Sequence, residues 1–271
     1  MPTLRVNGYD MAFVERGAGA PLLLVHGTLC DYRAWTGQMA AFGARYRRIA
    51  VSLWHCWPEK WDGEGDDFTV QQHTADVGRF IRRLDAGPVH LLGHSRGGYI
   101  AFRAAQSFPD LIRSLILVEP GGVLAADLET GPAAGPTIAL GPLYANAAER
   151  IRRGEIDEGV KFMIDVIAGP GGWDLTPEPN RQTLRDNAAT LFGQIKEQRA
   201  PYARAEAEAI RAPTLLIAGE RSPASFHHTL DGLESALKDV RRVVIPDASH
   251  SCNVDNAQAF ERAVLAFLAG R

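Results

Sequence analysis

The chain has 271 residues, of which 46% are apolar and 23% charged, and its 29 Lys and Arg against 32 Asp and Glu leave a formal net charge of −3. This balance argues against a disordered chain and against a nucleic-acid-binding protein, which usually carries a basic excess. No apolar run approaches the roughly 18 residues of a membrane span, and the N-terminus lacks the apolar core of a signal peptide. We therefore expect a cytoplasmic protein without a membrane or nucleic-acid partner.

Short aliphatic runs alternate with longer amphipathic stretches along most of the chain. The runs predict strands at 3–6, 11–16, 21–25, 47–52, 89–92, 114–118, 214–218 and 240–245. The first two flank Asn7-Gly8, a hairpin turn signal. Helical periodicity predicts helices at 69–84, 99–108 and 257–268. Aliphatic strands separated by helices predict an α/β fold whose mostly parallel sheet is flanked by helices, with an antiparallel strand near the start.

Residues 121–211 break this alternation. The segment contains no convincing strand, its first part (121–142) is rich in Gly, Ala and Pro, and helical stretches follow at 149–167 and 179–198. A structureless loop of this length would be improbable. We therefore predict a helical cap inserted at 121–211 into a core domain formed by 1–120 and 212–271.

The sharpest chemical signal is a Gly-x-Ser-x-Gly motif centred on Ser95. Residues 89–98 read Val-His-Leu-Leu-Gly-His-Ser-Arg-Gly-Gly, so the motif follows an aliphatic strand and precedes a helical stretch. Small residues at Gly93 and Gly97 allow a sharp turn that projects the Ser95 hydroxyl above the sheet. This setting favours a nucleophilic serine over a plain glycine-rich turn.

A serine nucleophile needs a base, and the candidate is His250. It lies just beyond the last predicted strand, in Pro-Asp-Ala-Ser-His, and the carboxyl ends of parallel strands are where sites of open α/β sheets assemble. His26 ends an earlier strand, in His-Gly-Thr-Leu. The backbone N–H of Thr28, or of Leu29 if the loop is shifted by one residue, would form an oxyanion hole with the N–H of Arg96. A plain strand-to-loop turn is the alternative.

Taken together, these motifs resemble the α/β-hydrolase fold superfamily, in its serine-nucleophile branch. The resemblance covers nearly the whole chain and runs in the right order, from His26-Gly27 through the Ser95 turn and the 214–219 strand to His250. It implies the fold strongly and the reaction weakly, because the superfamily holds esterases, lactonases, C–C hydrolases, lyases and receptors.

The position of the acid departs from the usual family pattern. Most members carry an Asp after the penultimate strand, whereas this chain reads Gly-Glu-Arg-Ser there, with Ser222 at the expected position. Either Glu220 serves, or the acid is Glu119 at the end of the strand that follows the Ser95 helix, or no conventional acid exists. A minority of the family, including the lactonase that opens zearalenone, is similar to the Glu119 arrangement. We favour Glu119.

The loop after the 47–52 strand is unusually aromatic, since it contains Trp54, His55, Trp57 and Trp61. Together with Leu29, the side chains of Trp54, His55 and Trp57 would line a substrate pocket, or they would pack beneath the insertion instead. Arg96 and Arg103 look like solvated or helix-surface charges, not a clamp for an acid group. The cysteines are odd in number and lack Cys-x-x-Cys spacing, which favours free thiols over a disulfide framework or a metal site; they are Cys30, Cys56 and Cys252.

The resemblance therefore implies a hydrolase for a carboxylic ester or lactone of a small, hydrophobic or aromatic molecule. Ser95, His250 and Glu119 would form the triad and an acyl-enzyme, with no metal and no organic cofactor. The partner would be the small-molecule substrate alone, and the chain a monomer or homodimer. Two alternatives remain: a small-molecule receptor on the same fold, and a cofactor-free C–C hydrolase, lyase or perhydrolase.

Overall fold

The computed structural model describes residues 1–42, 45–65, 67–132, 139–269 and 271, and these ranges form one eight-stranded sheet. The strands are β1 (Thr3–Val6), β2 (Tyr9–Arg16), β3 (Ala20–Val25), β4 (Tyr46–Val51), β5 (Val89–His94), β6 (Ile112–Val118), β7 (Thr214–Gly219) and β8 (Val240–Ile245). They lie in the order β1-β2-β4-β3-β5-β6-β7-β8. β2 pairs antiparallel with β1 and β4, and the pairs from β4 to β8 are parallel. The predicted α/β fold with one antiparallel strand near its start is confirmed.

The hairpin between β1 and β2 turns at Asn7 and Gly8, as the sequence predicts. Both residues have positive φ, 35° and 104°. Two consecutive positive φ angles define the two-residue turn whose twist matches that of paired strands, and Asn-Gly is its favoured sequence.

Helices cover the sheet on both faces. They are α1 (Gln38–Ala41), α2 (Val70–Leu84), α3 (Arg96–Ser107), α4 (Leu140–Arg152), α5 (Ile156–Ile167), α6 (Gly172–Leu175), α7 (Glu178–Asp186), α8 (Thr190–Gln194), α9 (Arg204–Glu208), α10 (Ala224–Ala236), α11 (Cys252–Asp255) and α12 (Ala257–Leu268), with 3₁₀ turns at Tyr32–Trp35 and Pro109–Leu111. α2 begins after Thr69, whose hydroxyl accepts the N–H of Gln72 at 3.0 Å as an N-cap. Within the described ranges, no helix is long and apolar enough to cross a membrane.

The core is divided by the sheet into two layers. Successive residues of a strand point to opposite faces, so Leu91 of β5 packs with Phe80 of α2 and Ile100 of α3, whereas Leu92 packs on the other face with Phe260 of α12. A third apolar cluster lies among the helices between β6 and β7. Its described members include Leu143, Ala147, Val160, Met163, Trp173 and Leu191.

The helices α4 to α9 occupy the segment between β6 and β7, where the sequence predicts an insertion. The helical stretch predicted at 149–167 contains the end of α4 and all of α5, because Gly154 between them takes a φ of 84° that an α-helix cannot continue. The stretch predicted at 179–198 likewise covers all of α7 except its first residue, and all of α8. Residues 133–138 of the predicted insertion lie outside the described residues, and its limits at 121 and 211 stay a prediction.

Gly97 marks the closest approach of α3 to β3. A Cβ at this position would lie 2.3 Å from the carbonyl oxygen of His26 and 2.5 Å from that of Val25, and backbone atoms cannot yield as a flexible side chain does. We expect Gly97→Ala to lower the free energy of unfolding by about 2 kcal/mol or more, as measured by urea unfolding. At Gly37 the backbone is helical and no atom lies within 4 Å of the Cβ position, so Gly37→Ala is a control expected within about 0.5 kcal/mol of wild type. Equal stability of the two variants would contradict this close packing.

Candidate active site

Ser95 lies at a sharp turn between β5 and α3. Its φ of 53° and ψ of −120° fall outside the favoured regions for a residue with a side chain. The turn is tight enough that a Cβ at Gly93 would lie 2.2 Å from the carbonyl oxygen of Gly97, which explains the first glycine of the motif; the second, Gly97, is explained by the nearby carbonyl oxygens of Val25 and His26. The N–H of Ser95 donates to the carbonyl of Val118 at 2.9 Å and fixes the turn to β6.

His250 and Glu119 form a hydrogen-bonded pair at the same edge of the sheet. Nδ1 of His250 lies 2.5 Å from Oε2 of Glu119, whose side chain is fully buried. The other oxygen of this carboxylate accepts the N–H of Gly219 at 2.6 Å and the hydroxyl of Ser222. An ionised carboxylate only accepts, so Nδ1 carries a proton and donates it. In neutral His250 the opposite nitrogen, Nε2, is then free to take a proton.

Glu220, the alternative acid, points elsewhere. Its carboxylate is exposed and accepts the N–H of Asp247 at 2.9 Å, across the ends of β7 and β8. The residue at the usual acid position, Ser222, donates its hydroxyl to Glu119 instead of holding His250 itself. The structure thus brings Glu119 and not Glu220 to His250.

Two residues that the sequence did not single out for this role hold the ring and the loop of His250. The ring of Phe226 stacks on the His250 ring with centroids 4.2 Å apart. Nε2 of His94 lies 2.9 Å from the His250 carbonyl oxygen, which can only accept, so His94 donates through Nε2. Burial and the neighbouring His250 lower the pKa of His94 to about 3, so it stays neutral in this role.

A cavity of about 590 Å³ opens above Ser95, within the size range of small-molecule sites. Ser95, His250, Thr28, Cys30 and Trp35 line it from the sheet side. Its opposite wall comes from the helices between β6 and β7 and is largely apolar, with Tyr144, Met163, Ile164, Ile167, Leu175 and Leu184. Burial raises the pKa of the Cys30 thiol to about 12, so this thiol stays protonated and weakly reactive near neutral pH.

The loop after β3 and the start of α3 flank Ser95. A Cβ at Gly27 would lie 3.1 Å from the Cβ of Ser95, so this loop runs beside the serine. Arg96 is the first residue of α3, and the N–H groups of a first turn have no carbonyl partner within their own helix. His26 fixes the loop by donating from Nδ1 to the Gly27 carbonyl at 2.9 Å and accepting the Leu53 N–H on Nε2 at 3.1 Å. This arrangement suits an oxyanion hole built from Thr28 and Arg96.

The expectation that Arg96 and Arg103 are solvated is wrong. The side chain of Arg96 is only 2% exposed and forms an ion pair with Glu197, which is 1% exposed. Arg103 pairs with Glu206 at 2.7 Å and also donates to the carbonyl of Ala200. Both arginines of α3 therefore bind the stretch of chain that leads from α8 through α9 towards β7, which one-dimensional periodicity cannot show.

The aromatic side chains predicted for the pocket lie elsewhere. None of Trp54, His55, Trp57 and Leu29 is among the described residues that line the cavity. Leu29 packs in the third apolar cluster, among the helices between β6 and β7, and the guanidinium of Arg33 lies 3.9 Å from the ring centroid of Trp57.

Trp54 and His55 belong to a column of stacked rings behind the site. Consecutive rings are 4.4–5.4 Å apart and within 17° of parallel. In order, they are Tyr9, Trp54, His55, Trp61 and Phe68. The column ends on Arg96, whose guanidinium lies 4.5 Å from the Phe68 centroid. These aromatics therefore support the base of the site, which agrees with the packing alternative for this loop.

Comparison with known protein families agrees with the fold described above. A model of the alpha/beta hydrolase family matches residues 22–263. Over 129 residues, the chain is 35% identical to the uncharacterized protein Rv2715 of Mycobacterium tuberculosis (strain ATCC 25618 / H37Rv), a match that covers 45% of this chain and 36% of that protein. The chain thus matches only about a third of this relative's length.

Solved structures resemble the chain over almost its full length. The esterase EaEST from Exiguobacterium antarcticum superposes with a TM-score of 0.79 at 18% identity, covering 99% of each chain. The enol-lactonase from Burkholderia xenovorans LB400 gives a TM-score of 0.76 at 20% identity, covering 99% of this chain and 100% of that one. At these identities the likeness shows a shared fold.

The column predicts how stability depends on pH, because its member His55 lies between two carboxylates. Burial alone would lower the pKa of His55, but hydrogen bonds to Glu59 and Asp67, at 2.9 and 3.0 Å, raise it above the ordinary 6.5. A raised folded-state pKa gives stability that is complete below the unfolded pKa and lost as the pH rises through the folded pKa. We expect His55→Gln to destabilise the protein more at pH ~6 than at pH ~9, by up to about 1 kcal/mol, in urea unfolding at the two pH values.

His90 provides a control of opposite sign. Burial lowers its pKa to about 4, so its contribution is present above the unfolded pKa and lost as the pH falls. His90→Gln should therefore destabilise the protein more at the higher pH. If both variants changed with pH in the same sense, the assignment of a charged His55 would be wrong.

Proposed function

Since this chain belongs to the α/β hydrolase family, we propose that it is a serine hydrolase that cleaves a carboxylic ester or lactone of a small, hydrophobic molecule. The observation that carries the proposal is the buried Glu119 carboxylate on Nδ1 of His250, beside the cavity that Ser95 lines. A receptor needs no such buried carboxylate hydrogen-bonded to an imidazole for binding, whereas a base that must accept and return a proton does.

We assign a residue of the chain to each step of ester cleavage. The Ser95 hydroxyl attacks the carbonyl carbon while Nε2 of His250 takes its proton, and Glu119 stabilises the resulting imidazolium. The carbonyl electrons move to oxygen, where the N–H groups of Thr28 and Arg96 donate to the oxyanion. Collapse expels the alcohol, which takes the proton from His250. Water then attacks the acyl-enzyme by the same route and releases the acid.

The walls of the cavity support an apolar substrate. The predicted insertion contributes mainly apolar side chains, and Leu175 among them is 85% exposed. Transfer of an apolar acyl or aryl group from water to such a wall is favourable. We infer that residues 121–211 act as a cap that selects the substrate. The resemblance of the fold to an esterase and an enol-lactonase supports ester and lactone carbonyls as the first substrates to test.

Labelling of Ser95 tests the proposed nucleophile. Wild type should react with a fluorophosphonate to give a single adduct in intact-mass spectrometry, because His250 activates the hydroxyl, and Ser95→Ala should give none. Wild type should also hydrolyse members of a panel of aryl esters and lactones. A folded wild type that neither reacts nor hydrolyses, yet gains thermal stability from panel compounds, would overturn the proposal in favour of a receptor.

Substitution of each glutamate by glutamine distinguishes Glu119 from Glu220 as the acid. Glu119→Gln should lower kcat by about 10³-fold or more, because an amide cannot stabilise the imidazolium and would present the wrong hydrogen-bonding group to Nδ1. Glu220→Gln is the matched control and should stay within about twofold, since Glu220 is exposed and bonded to a backbone N–H. Steady-state kinetics on one ester measures both. Loss of activity in Glu220→Gln with retention in Glu119→Gln would reverse the assignment.

A further inference from the structure

We propose that residues 194–197 of the insertion, here called the strut, hold the two N–H groups of the oxyanion hole, those of Thr28 and Arg96, in fixed positions relative to each other. Gln194 and Glu197 are then positioning residues that act through Thr28 and Arg96. The inference rests on the proposed function and extends it, because it makes the insertion part of the catalytic machinery as well as a wall of the substrate cavity.

The first contact of the strut is with Thr28. This residue lies in the irregular loop after β3, outside the sheet ladder. Its hydroxyl accepts a hydrogen bond of 2.9 Å from Nε2 of Gln194, the last residue of α8. A loop residue without ladder bonds has more freedom than one inside a strand. The bond from Gln194 therefore restricts the position of the N–H that Thr28 would present to an oxyanion.

The second contact anchors the strut to α3. The guanidinium of Arg96 donates to both oxygens of Glu197, with a distance of 3.3 Å from Nε to Oε2. Both side chains are buried, and the Arg96 guanidinium also donates to Nδ1 of His73 at 2.9 Å. A two-point pair of this kind fixes orientation as well as distance. Because Glu197 lies three residues after Gln194, the anchor at Arg96 determines where Gln194 meets Thr28.

The same cluster places positive charge near the hole. Arg199 donates to Glu197 at 2.7 Å, and its Nη1 lies 3.2 Å from the Cβ position of Gly121, which is itself 3.8 Å from the Arg96 nitrogen. Burial and the adjacent Arg96 keep the pKa of His73 well below its ordinary value, so that ring is neutral. Arg96 and Arg199 are thus both held by the one buried carboxylate of Glu197, beside the start of α3.

The strut is also costly to the fold, which argues against a purely structural role. Gln194 is 4% exposed, and its Oε1 has no hydrogen-bond partner among the described residues. A buried unpaired acceptor and a buried ion pair both lower stability relative to apolar side chains of similar volume. A leucine at 194 would pack without that penalty. The polar atoms at this position are explained by the bond to Thr28.

The experiment measures kcat and KM for 4-nitrophenyl butyrate in Gln194→Leu, Glu197→Gln and the double variant, with melting temperatures recorded alongside. We expect each single variant to lose about 10- to 100-fold in kcat with KM within about threefold. Gln194→Leu should melt at the same temperature as wild type or higher. Because both residues act through one strut, the double variant should lose little more than the worse single variant.

A pair of inhibitors reports on the oxyanion hole itself. A phenyl trifluoromethyl ketone forms a tetrahedral adduct: the Ser95 oxygen bonds to the carbonyl carbon, its proton passes to His250, and the carbonyl oxygen becomes the oxyanion. Its inhibition constant should rise by the same factor as kcat falls in the strut variants. The matching methyl ketone, which stays mainly trigonal, should bind each variant within about threefold of wild type.

Glu206→Gln is the matched control, because Glu206 also pairs with an arginine of α3 but one that contributes nothing to the hole. It should keep wild-type kcat. Three results would overturn the inference: an unchanged kcat in the strut variants, an equal loss of binding for both ketones, or an equal loss of kcat in Glu206→Gln. In each case hydrolysis by the wild type would still support the proposed function. Should Glu197→Gln fail to fold, Gln194→Leu decides alone, since it removes no charge. A wild type inert toward esters and fluorophosphonate would overturn the proposed function and the strut's role together.

Discussion

One buried carboxylate organises the functional edge of this protein. Glu119 follows β6, and its two oxygens bind His250 after β8, the backbone N–H of Gly219 at the end of β7, and the hydroxyl of Ser222 just beyond. A fully buried carboxylate is tolerated only when its oxygens are satisfied in this way. The ends of three neighbouring strands are therefore tied to one side chain, and the position of His250 relative to Ser95 depends on it.

Backbone strain is concentrated along the same edge. The residues that follow the parallel strands include several with side chains and positive φ, a conformation that costs energy and persists only where the surroundings enforce it. They are Leu29 after β3, His55 after β4, Ser95 after β5, Glu119 after β6 and Asp247 after β8. The sheet and its two apolar layers supply the rigidity that holds these turns, so stability in the core supports geometry at the edge. The segment between β6 and β7 adds further support through the ion pair between Arg96 and Glu197.

Local sequence signals predicted the sheet well, because they act over short distances. Asn7-Gly8 codes for its turn by backbone preference alone, and the aliphatic strands follow from the need to bury both faces of a parallel sheet. The Gly93 and Gly97 pair likewise predicted the turn at Ser95. Signals that depend on packing were misread. The aromatic loop after β4 contains rings suited to a pocket, yet Trp54 and His55 stack into a column behind the site.

The sequence by itself determined the succession of strands and helices along the chain, the turn that carries Ser95, and the short set of residues able to act with it. Each of these depends on neighbours in the chain. It left open which carboxylate meets His250, since Glu119 and Glu220 both follow strand ends and differ only in where their side chains point. The tertiary structure decided that question, together with the burial of Arg96 on Glu197 and the bond between Gln194 and Thr28. These contacts join residues 101 to 166 positions apart. Only the folded chain brings such distant residues together.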